Sequence, residues 1–153
     1  PCKDISKEFI RDLKDYSVQN QSQEASDANI EKNRYSDMPC IESTRVILKN
    51  RPSTEDYIHA SWMKVPGENF KFIATQGPLA ETVEDFWLMV MQESCSIIIQ
   101  LCRFMEAGVE KCCDYWPHQE NKETQNVGPY KVTVVKRNED IAPDMKWTTL
   151  VVE

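Results

Sequence analysis

The six cysteines are the residues of this sequence with the greatest capacity for covalent chemistry. A cysteine thiolate can attack phosphorus from a phosphate-binding loop, in which an arginine six positions later binds the phosphate oxygens. The positions six residues after Cys2, Cys40, Cys95, Cys102, Cys112 and Cys113 hold Glu8, Val46, Leu101, Gly108, His118 and Gln119. None of these is arginine, so we assign no catalytic residue within this chain.

The cysteines also lack a metal or disulfide pattern. No C-x-x-C pair is present, and the two histidines, His59 and His118, lie far apart in the sequence. The chain is longer than the small domains that disulfides stabilise. The four glycines are isolated, which excludes a glycine-rich phosphate loop. We expect reduced thiols, a cytoplasmic location, no metal site and no cofactor.

Charge and length narrow the class of protein further. The 153 residues carry a net charge of −7, which disfavours binding to nucleic acid or anionic lipid. No apolar run approaches the roughly 18 residues of a membrane-spanning helix, and the polar start shows no signal peptide. These features predict one globular domain over residues 1–153 and leave the oligomeric state open.

The N-terminal third of the chain is predicted to contain one helix and a long loop. Residues 4–16 place Ile5, Phe9, Ile10 and Leu13 on one helical face, as in a helix that docks on the domain. Residues 17–29 have almost no large apolar side chain and are predicted to be a loop or linker.

The rest of the chain predicts strands around a helix. Residues 56–63 and 70–76 form a candidate hairpin across Pro66-Gly67. Thr82 and Asp85 fit a capping box that opens a helix. The run "SIIIQL" (96–101) suits a strand buried on both faces, which needs neighbouring strands and covering helices. Residues 130–137 and 147–153 are further strands, separated by a turn at 138–146. We predict an α/β fold with a mixed, twisted sheet flanked by helices.

Four polar motifs beside these elements carry a resemblance to a known family. They are "KNRYSD" (32–37), "DYIHAS" (56–61), "TQGPLAETVEDFW" (75–87) and "EAGVEKCCDYWP" (106–117). In this order and spacing they resemble the N-terminal half of a cysteine-dependent protein-tyrosine phosphatase domain. The resemblance covers about residues 5–153 and implies a phosphotyrosine-phosphatase-like but incomplete fold.

The resemblance implies hydrolysis of phosphotyrosine through a cysteinyl-phosphate intermediate, without metal. The family's Trp-Pro-Asp acid loop, its His-Cys-x5-Arg phosphate loop and its glutamine loop lie beyond the region matched here. The implied domain therefore ends before its catalytic parts. We expect the fragment to be inactive, and its partner to be a phosphotyrosine-containing protein or peptide.

The same resemblance assigns three substrate-binding residues and two supporting residues. Tyr35 corresponds to the aromatic wall that stacks on the substrate ring, Asp37 to the carboxylate that accepts hydrogen bonds from the substrate backbone, and Met38 to an apolar residue on the pocket rim. Glu106 corresponds to the acid that orients the phosphate-loop arginine, and Lys111 to the lysine that contacts the acid loop.

Departures from the family pattern keep alternatives open. His59 stands where asparagine is usual, and Cys102 where asparagine or threonine is common. The chain is either part of an active phosphatase, a catalytically dead relative that binds phosphotyrosine or acts as a scaffold, or a remnant without a stable fold.

Overall fold

A computed structural model describes residues 2–13, 20–142 and 145–153 of the chain. The predicted N-terminal helix is present as α1 (Cys2–Glu8), followed by a π-helical turn at Phe9–Leu13. Residues 14–16 of that prediction lie outside the described residues. Its apolar face is not covered, because Ile5, Phe9 and Ile10 are all exposed. The helix was predicted correctly, whereas its docking was not.

The polar segment at 17–29 contains a helix that was predicted as loop. Residues 17–19 lie outside the described part, and α2 (Glu24–Ala28) follows. A 3₁₀ turn at Ile30–Lys32 leads into the "KNRYSD" motif. The helix forms without large apolar residues because a small polar side chain, Ser26, is its buried anchor.

The first sheet confirms the predicted hairpin and adds an edge strand. β1 (Arg45–Ile47) was not predicted, and it pairs with β2 (Tyr57–Lys64), which pairs with β3 (Lys71–Thr75). Both pairings are antiparallel, and the β2–β3 register matches Ala60 with Thr75. The far end of β3 therefore lies beside the middle of β2, close to His59.

Helix α3 (Val83–Gln92) is the main covering helix, as the sequence predicts. Its Phe86, Trp87 and Val90 are buried in the core. The predicted capping box of Thr82 and Asp85 is wrong. The Thr82 hydroxyl instead accepts a hydrogen bond from the Leu79 N–H at 3.0 Å, and the Asp85 carboxylate forms ion pairs with Lys32 and Arg51.

The prediction for residues 96–101 is also wrong. No strand forms there, and Leu101 is 94% exposed. An apolar run becomes a buried strand only when another strand pairs with it, and none of the strands among the described residues does so. The chain continues into a small hairpin of β4 (Met105–Glu106) and β5 (Val109–Glu110).

The third sheet consists of β6 (Thr124–Val127), β7 (Tyr130–Ala142) and β8 (Met145–Val152). Both late strands are confirmed, but they extend into the turn predicted at 138–146, of which residues 143–144 lie outside the described part. The sheets flanked by helices confirm the α/β class. The mixed sheet is not formed by the described residues, whose strands make three separate sheets with antiparallel pairs, because residues 96–101 do not pair as a strand.

Candidate functional site

The backbone before Tyr35 is held by one side chain from the end of β3. The Gln76 amide donates to the Lys32 carbonyl at 2.8 Å and accepts from the Arg34 N–H at 2.9 Å. A side-chain amide offers both a donor and an acceptor, so it can pair with a backbone as a strand would. Gln76 therefore fixes the entry to residues 35–38, which we call the Tyr35 segment.

The Arg34 side chain joins this backbone to two other motifs. Its guanidinium donates to the carbonyl oxygens of Gly77 at 3.1 Å, Pro78 at 2.8 Å and Glu110 at 3.0 Å. Three acceptors in different directions match the fork of guanidinium donors, which orients the group. Arg34 thus places the Tyr35 segment next to the residue that follows Glu110, which is Lys111.

The side chains of Tyr35 and Lys111 contact each other at the protein surface. The Lys111 ammonium donates to the Tyr35 hydroxyl at 3.0 Å and lies 5.3 Å from the centroid of its ring. The Tyr35 side chain is 44% exposed, so the ring is available to a ligand. The hydrogen bond to Tyr35 raises the pKa of Lys111, and the nearby Glu106 carboxylate raises it to a smaller extent.

The β4–β5 hairpin accounts for the position of Glu106. Its register pairs Met105 with Glu110, and Lys111 is the next residue. The hairpin therefore brings the side chains of Glu106 and Lys111 to the same part of the structure. Glu106 is exposed, and its carboxylate accepts a hydrogen bond from the Arg103 N–H at 3.0 Å. The structure therefore brings Glu106, Lys111 and Tyr35 together.

A cavity of about 310 Å³ opens beside Tyr35. It lies between the Tyr35 segment and the ends of β2 and β3, and Tyr35, Met38, His59 and Gln76 are among its lining residues. Met38 is exposed at its rim, and the preceding residue, Asp37, is also exposed. The His59 ring contacts the Met38 carbonyl through Nε2 at 2.7 Å. Two of the three residues predicted to bind substrate, Tyr35 and Met38, thus line one cleft, and Asp37 lies between them in the sequence.

Ser26 supports the site and was missed by the sequence analysis. Its buried hydroxyl oxygen accepts hydrogen bonds from the Cys40 N–H and the Asn33 amide, both at 3.2 Å, and it lies 3.3 Å from the Tyr57 hydroxyl. It therefore ties both ends of the Tyr35 segment to β2. A single serine in a polar run gives no sequence signal of such a role.

Cys112 has the opposite properties from a thiolate nucleophile. The side chain is buried, and burial raises the pKa of its thiol to about 12. A reactive cysteine needs a lowered pKa and an electropositive, accessible setting. The five cysteines whose side chains are described are free thiols. In the described part of the chain, no group of three or more acidic, histidine or cysteine side chains could hold a metal ion.

An exposed aromatic ring beside an ammonium group is suited to a ligand that is both aromatic and anionic. The ring offers a stacking face, and the ammonium offers a charge-assisted hydrogen bond. The arrangement can orient such a ligand at the protein surface.

Comparisons with known proteins agree on one family. The family model described as protein-tyrosine phosphatase matches residues 29–153. The rat tyrosine-protein phosphatase non-receptor type 9 is 44% identical over 102 residues, which are 65% of this chain and 17% of that protein. No helix among the described residues is long and apolar enough to cross a membrane.

Solved structures give the same result. The catalytic domain of human protein tyrosine phosphatase non-receptor type 18 matches with a TM-score of 0.77 and 30% identity, over 99% of this chain and 52% of that chain. A type 18 structure in complex with phosphopeptides matches with a TM-score of 0.72 and 30% identity, over 98% and 50%. The chain thus spans about half the length of these solved chains.

Proposed function

The chain belongs to the protein-tyrosine phosphatase family, and we propose that residues 1–153 form the part of one such domain that recognises phosphotyrosine. The contact between the Lys111 ammonium and the Tyr35 hydroxyl, at 3.0 Å beside an exposed ring, is the observation that carries this proposal. It joins two motifs that are 76 residues apart, and it creates a face for an aromatic anion.

Each site residue has a defined role in the proposed mechanism. The substrate ring stacks on Tyr35, which contributes about 0.5–1.5 kcal/mol beyond the area it buries. Asp37 accepts hydrogen bonds from the substrate backbone, and Met38 borders the ring. Glu106 and Lys111 support the phosphate loop and the acid loop. A pocket reached through this wall is too deep for phosphoserine, whose shorter side chain does not reach the bottom.

The chemical step in this proposal uses groups from outside the chain. A thiolate attacks phosphorus, the tyrosine oxygen leaves after it is protonated by an aspartic acid, and water then hydrolyses the cysteinyl phosphate. The chain holds no cysteine with an arginine six positions later. By itself it therefore binds without turnover, because nothing stabilises the transferring phosphoryl group.

The partner and location follow from family membership. We propose that the substrate is a phosphotyrosine-containing protein and that the protein acts in the cytoplasm, in signalling. The matched relative with non-receptor in its name supports the cytoplasmic location. The type 18 structure in complex with phosphopeptides supports the choice of a phosphopeptide as probe.

The direct test is a titration of the chain with a phosphotyrosine peptide, followed by calorimetry. We expect weak, saturable binding, with a Kd of about 1 mM, since one wall supplies only part of the contacts. Tyr35→Ala should weaken it about two- to tenfold, which corresponds to the stacking energy.

The matched control is Phe70→Ala, which removes another exposed ring. Phe70 immediately precedes β3, so it lies at the end of the strand opposite Thr75. It should leave the affinity unchanged. A matching phosphoserine peptide should bind more weakly than the phosphotyrosine peptide. Equal affinity of wild type and Tyr35→Ala, or equal binding of the two peptides, would refute the proposed recognition.

A further inference from the structure

Residues 36–39 have few attachments to the rest of the fold. The Met38 N–H reaches the Tyr35 carbonyl only at 3.4 Å, within the same turn. After Pro39, the Cys40 N–H donates to the Ser26 hydroxyl. Within the described residues, the Met38 carbonyl is the point where hydrogen bonding joins 36–39 to the sheet, and its partner is His59 Nε2 at 2.7 Å.

The chemistry of this contact fixes the tautomer of the imidazole. A carbonyl oxygen can only accept a hydrogen bond, so Nε2 must carry the proton. His59 is itself held, because its backbone carbonyl accepts from the Thr75 hydroxyl at 2.9 Å and from the Gln76 N–H at 3.4 Å. The donor therefore comes from a rigid position on β2.

The residue after Met38 makes this single hydrogen bond effective. Pro39 has a fixed φ and no N–H, and it restricts Met38 to extended conformations. With few backbone torsions left free, a carbonyl that is held at one point determines where the neighbouring side chains lie. Those side chains are Asp37 and Met38, which are both exposed, and Met38 lines the cavity.

The reach of the donor determines which residue types can make this contact. An asparagine amide nitrogen extends only about as far as Nδ1 of a histidine. Glutamine extends about as far as Nε2. The contact to Met38 is made by Nε2, so a histidine or a glutamine can form it from this strand position, whereas an asparagine is too short.

We propose that His59 is a positioning residue, which holds Met38 at the rim of the cleft, and with it the neighbouring Asp37, by donating its Nε2 proton to the Met38 carbonyl. Its meaning for substrate recognition rests on the proposed function. The hydrogen bond itself does not, so the two can fail separately.

Hydrogen exchange of backbone amides, followed by NMR on the full chain, tests the proposal. His59→Ala should speed exchange at Met38 and Cys40 by about two- to tenfold, the range expected for one hydrogen bond. His59→Gln should restore slow exchange, and His59→Asn should not. The amides of α3 are the internal control and should exchange equally in all variants.

A second measurement needs no substitution. Long-range ¹H–¹⁵N spectra of the wild-type chain at mildly alkaline pH report which ring nitrogen carries the proton. The proposal requires the proton on Nε2. It is overturned by a proton on Nδ1, by unchanged exchange in His59→Ala, or by a rescue with asparagine as complete as that with glutamine.

Phosphopeptide titration of the same variants separates the two ideas. If His59→Ala alters exchange but no protein binds the peptide, the positioning role holds and the proposed function fails. If the wild-type chain binds and His59→Ala binds equally well with unchanged exchange, the proposed function holds and the positioning role fails.

Discussion

At the scale of single residues, the site depends on side chains that hydrogen-bond to distant backbone. Gln76 and Arg34 carry no chemistry of their own, and the motifs that contain them indicate only polar contacts within the scaffold. Their hydrogen bonds to the carbonyls of Lys32, Gly77, Pro78 and Glu110 bring three motifs together. The sequence places Gln76 and Arg34 within these motifs, but it cannot predict which carbonyl groups their side chains contact.

The Lys111–Tyr35 contact predicts a pH dependence. Because the hydrogen bond raises the pKa of Lys111 in the folded chain, it stabilises the fold at neutral pH and is lost as the pH rises through that folded value, in the alkaline range. In Tyr35→Phe, Lys111 should therefore titrate at a lower pH than in wild type. The NMR shifts of the Lys111 ε-methylene group measure this.

Resonances of the other lysines serve as the reference for that titration and should be the same in both proteins. An unchanged Lys111 midpoint in Tyr35→Phe would mean that the hydrogen bond does not form in solution.

Gly77 is required for the close approach of two motifs. A Cβ at this position would overlap the Lys111 carbonyl oxygen and press on the Cβ of Cys112. We expect Gly77→Ala to lower the free energy of unfolding by about 2–3 kcal/mol, since backbone must shift to admit the methyl group. Urea denaturation measures the loss.

The comparison variant for Gly77 is Gly67→Ala. Gly67 has a φ of 83° but open space around a Cβ, so it tests backbone strain without overlap. The expected loss is smaller, about 1 kcal/mol. A loss at Gly77 no larger than at Gly67 would show that the motifs can separate freely.

At the scale of elements, α3 is anchored by a buried carboxylate as well as by its apolar face. Asp85 is 4% exposed and pairs with Lys32 at 3.1 Å and with Arg51 at 3.0 Å. Lys32 begins the motif that leads to Tyr35, so this ion pair connects the helix to the site. The sequence pattern placed Asp85 in a helix cap because local spacing cannot show a partner 53 residues away.

Two adjacent acidic residues allow a matched test of this anchor. Removing Asp85 leaves two cations close to a buried position, so Asp85→Ala should cost about 3 kcal/mol of unfolding free energy. Glu84 also pairs with Arg51, at 3.2 Å, but its side chain is largely exposed. Glu84→Ala should cost less than about 1 kcal/mol.

Both variants replace an acidic residue in the first turn of the same helix, so the difference between them reports burial. Thermal or urea unfolding gives it directly. Equal losses of unfolding free energy would indicate that Asp85 stabilises the fold only as an acidic residue in the first turn of the helix.

The contrast between the β2–β3 hairpin and residues 96–101 shows which elements can be predicted from sequence. The hairpin is specified locally, by β-branched and aromatic residues on both sides of Pro66-Gly67, and it was predicted correctly. A strand at 96–101 requires a neighbour that the local sequence does not contain. Its apolar pattern indicates that this run prefers burial, but it cannot supply the partner strand.

At the scale of the whole molecule, an uncovered apolar surface remains. Ile97, Ile99 and Leu101 are all mostly exposed, in a run without charge, proline or glycine. Such surfaces promote association. We expect the chain to self-associate as its concentration rises, as measured by analytical ultracentrifugation, and Ile99→Lys to reduce this.

The control for that experiment is Ser53→Lys, which adds the same charge at an exposed polar residue outside residues 96–101. It should have little effect. Equal suppression by both variants would assign the effect to net charge, and no suppression by Ile99→Lys would exclude residues 96–101 as the cause.

The central claim is that Tyr35, Asp37, Met38 and Lys111 form one wall of a phosphotyrosine cleft. Chemical-shift mapping of the ¹⁵N-labelled full chain, titrated with a phosphotyrosine peptide, tests it most directly. We predict saturable shifts confined to these residues and to their neighbours around the cavity, without release of phosphate. Saturable shifts elsewhere, for example along 96–101 alone, or release of phosphate by the purified chain, would contradict the account.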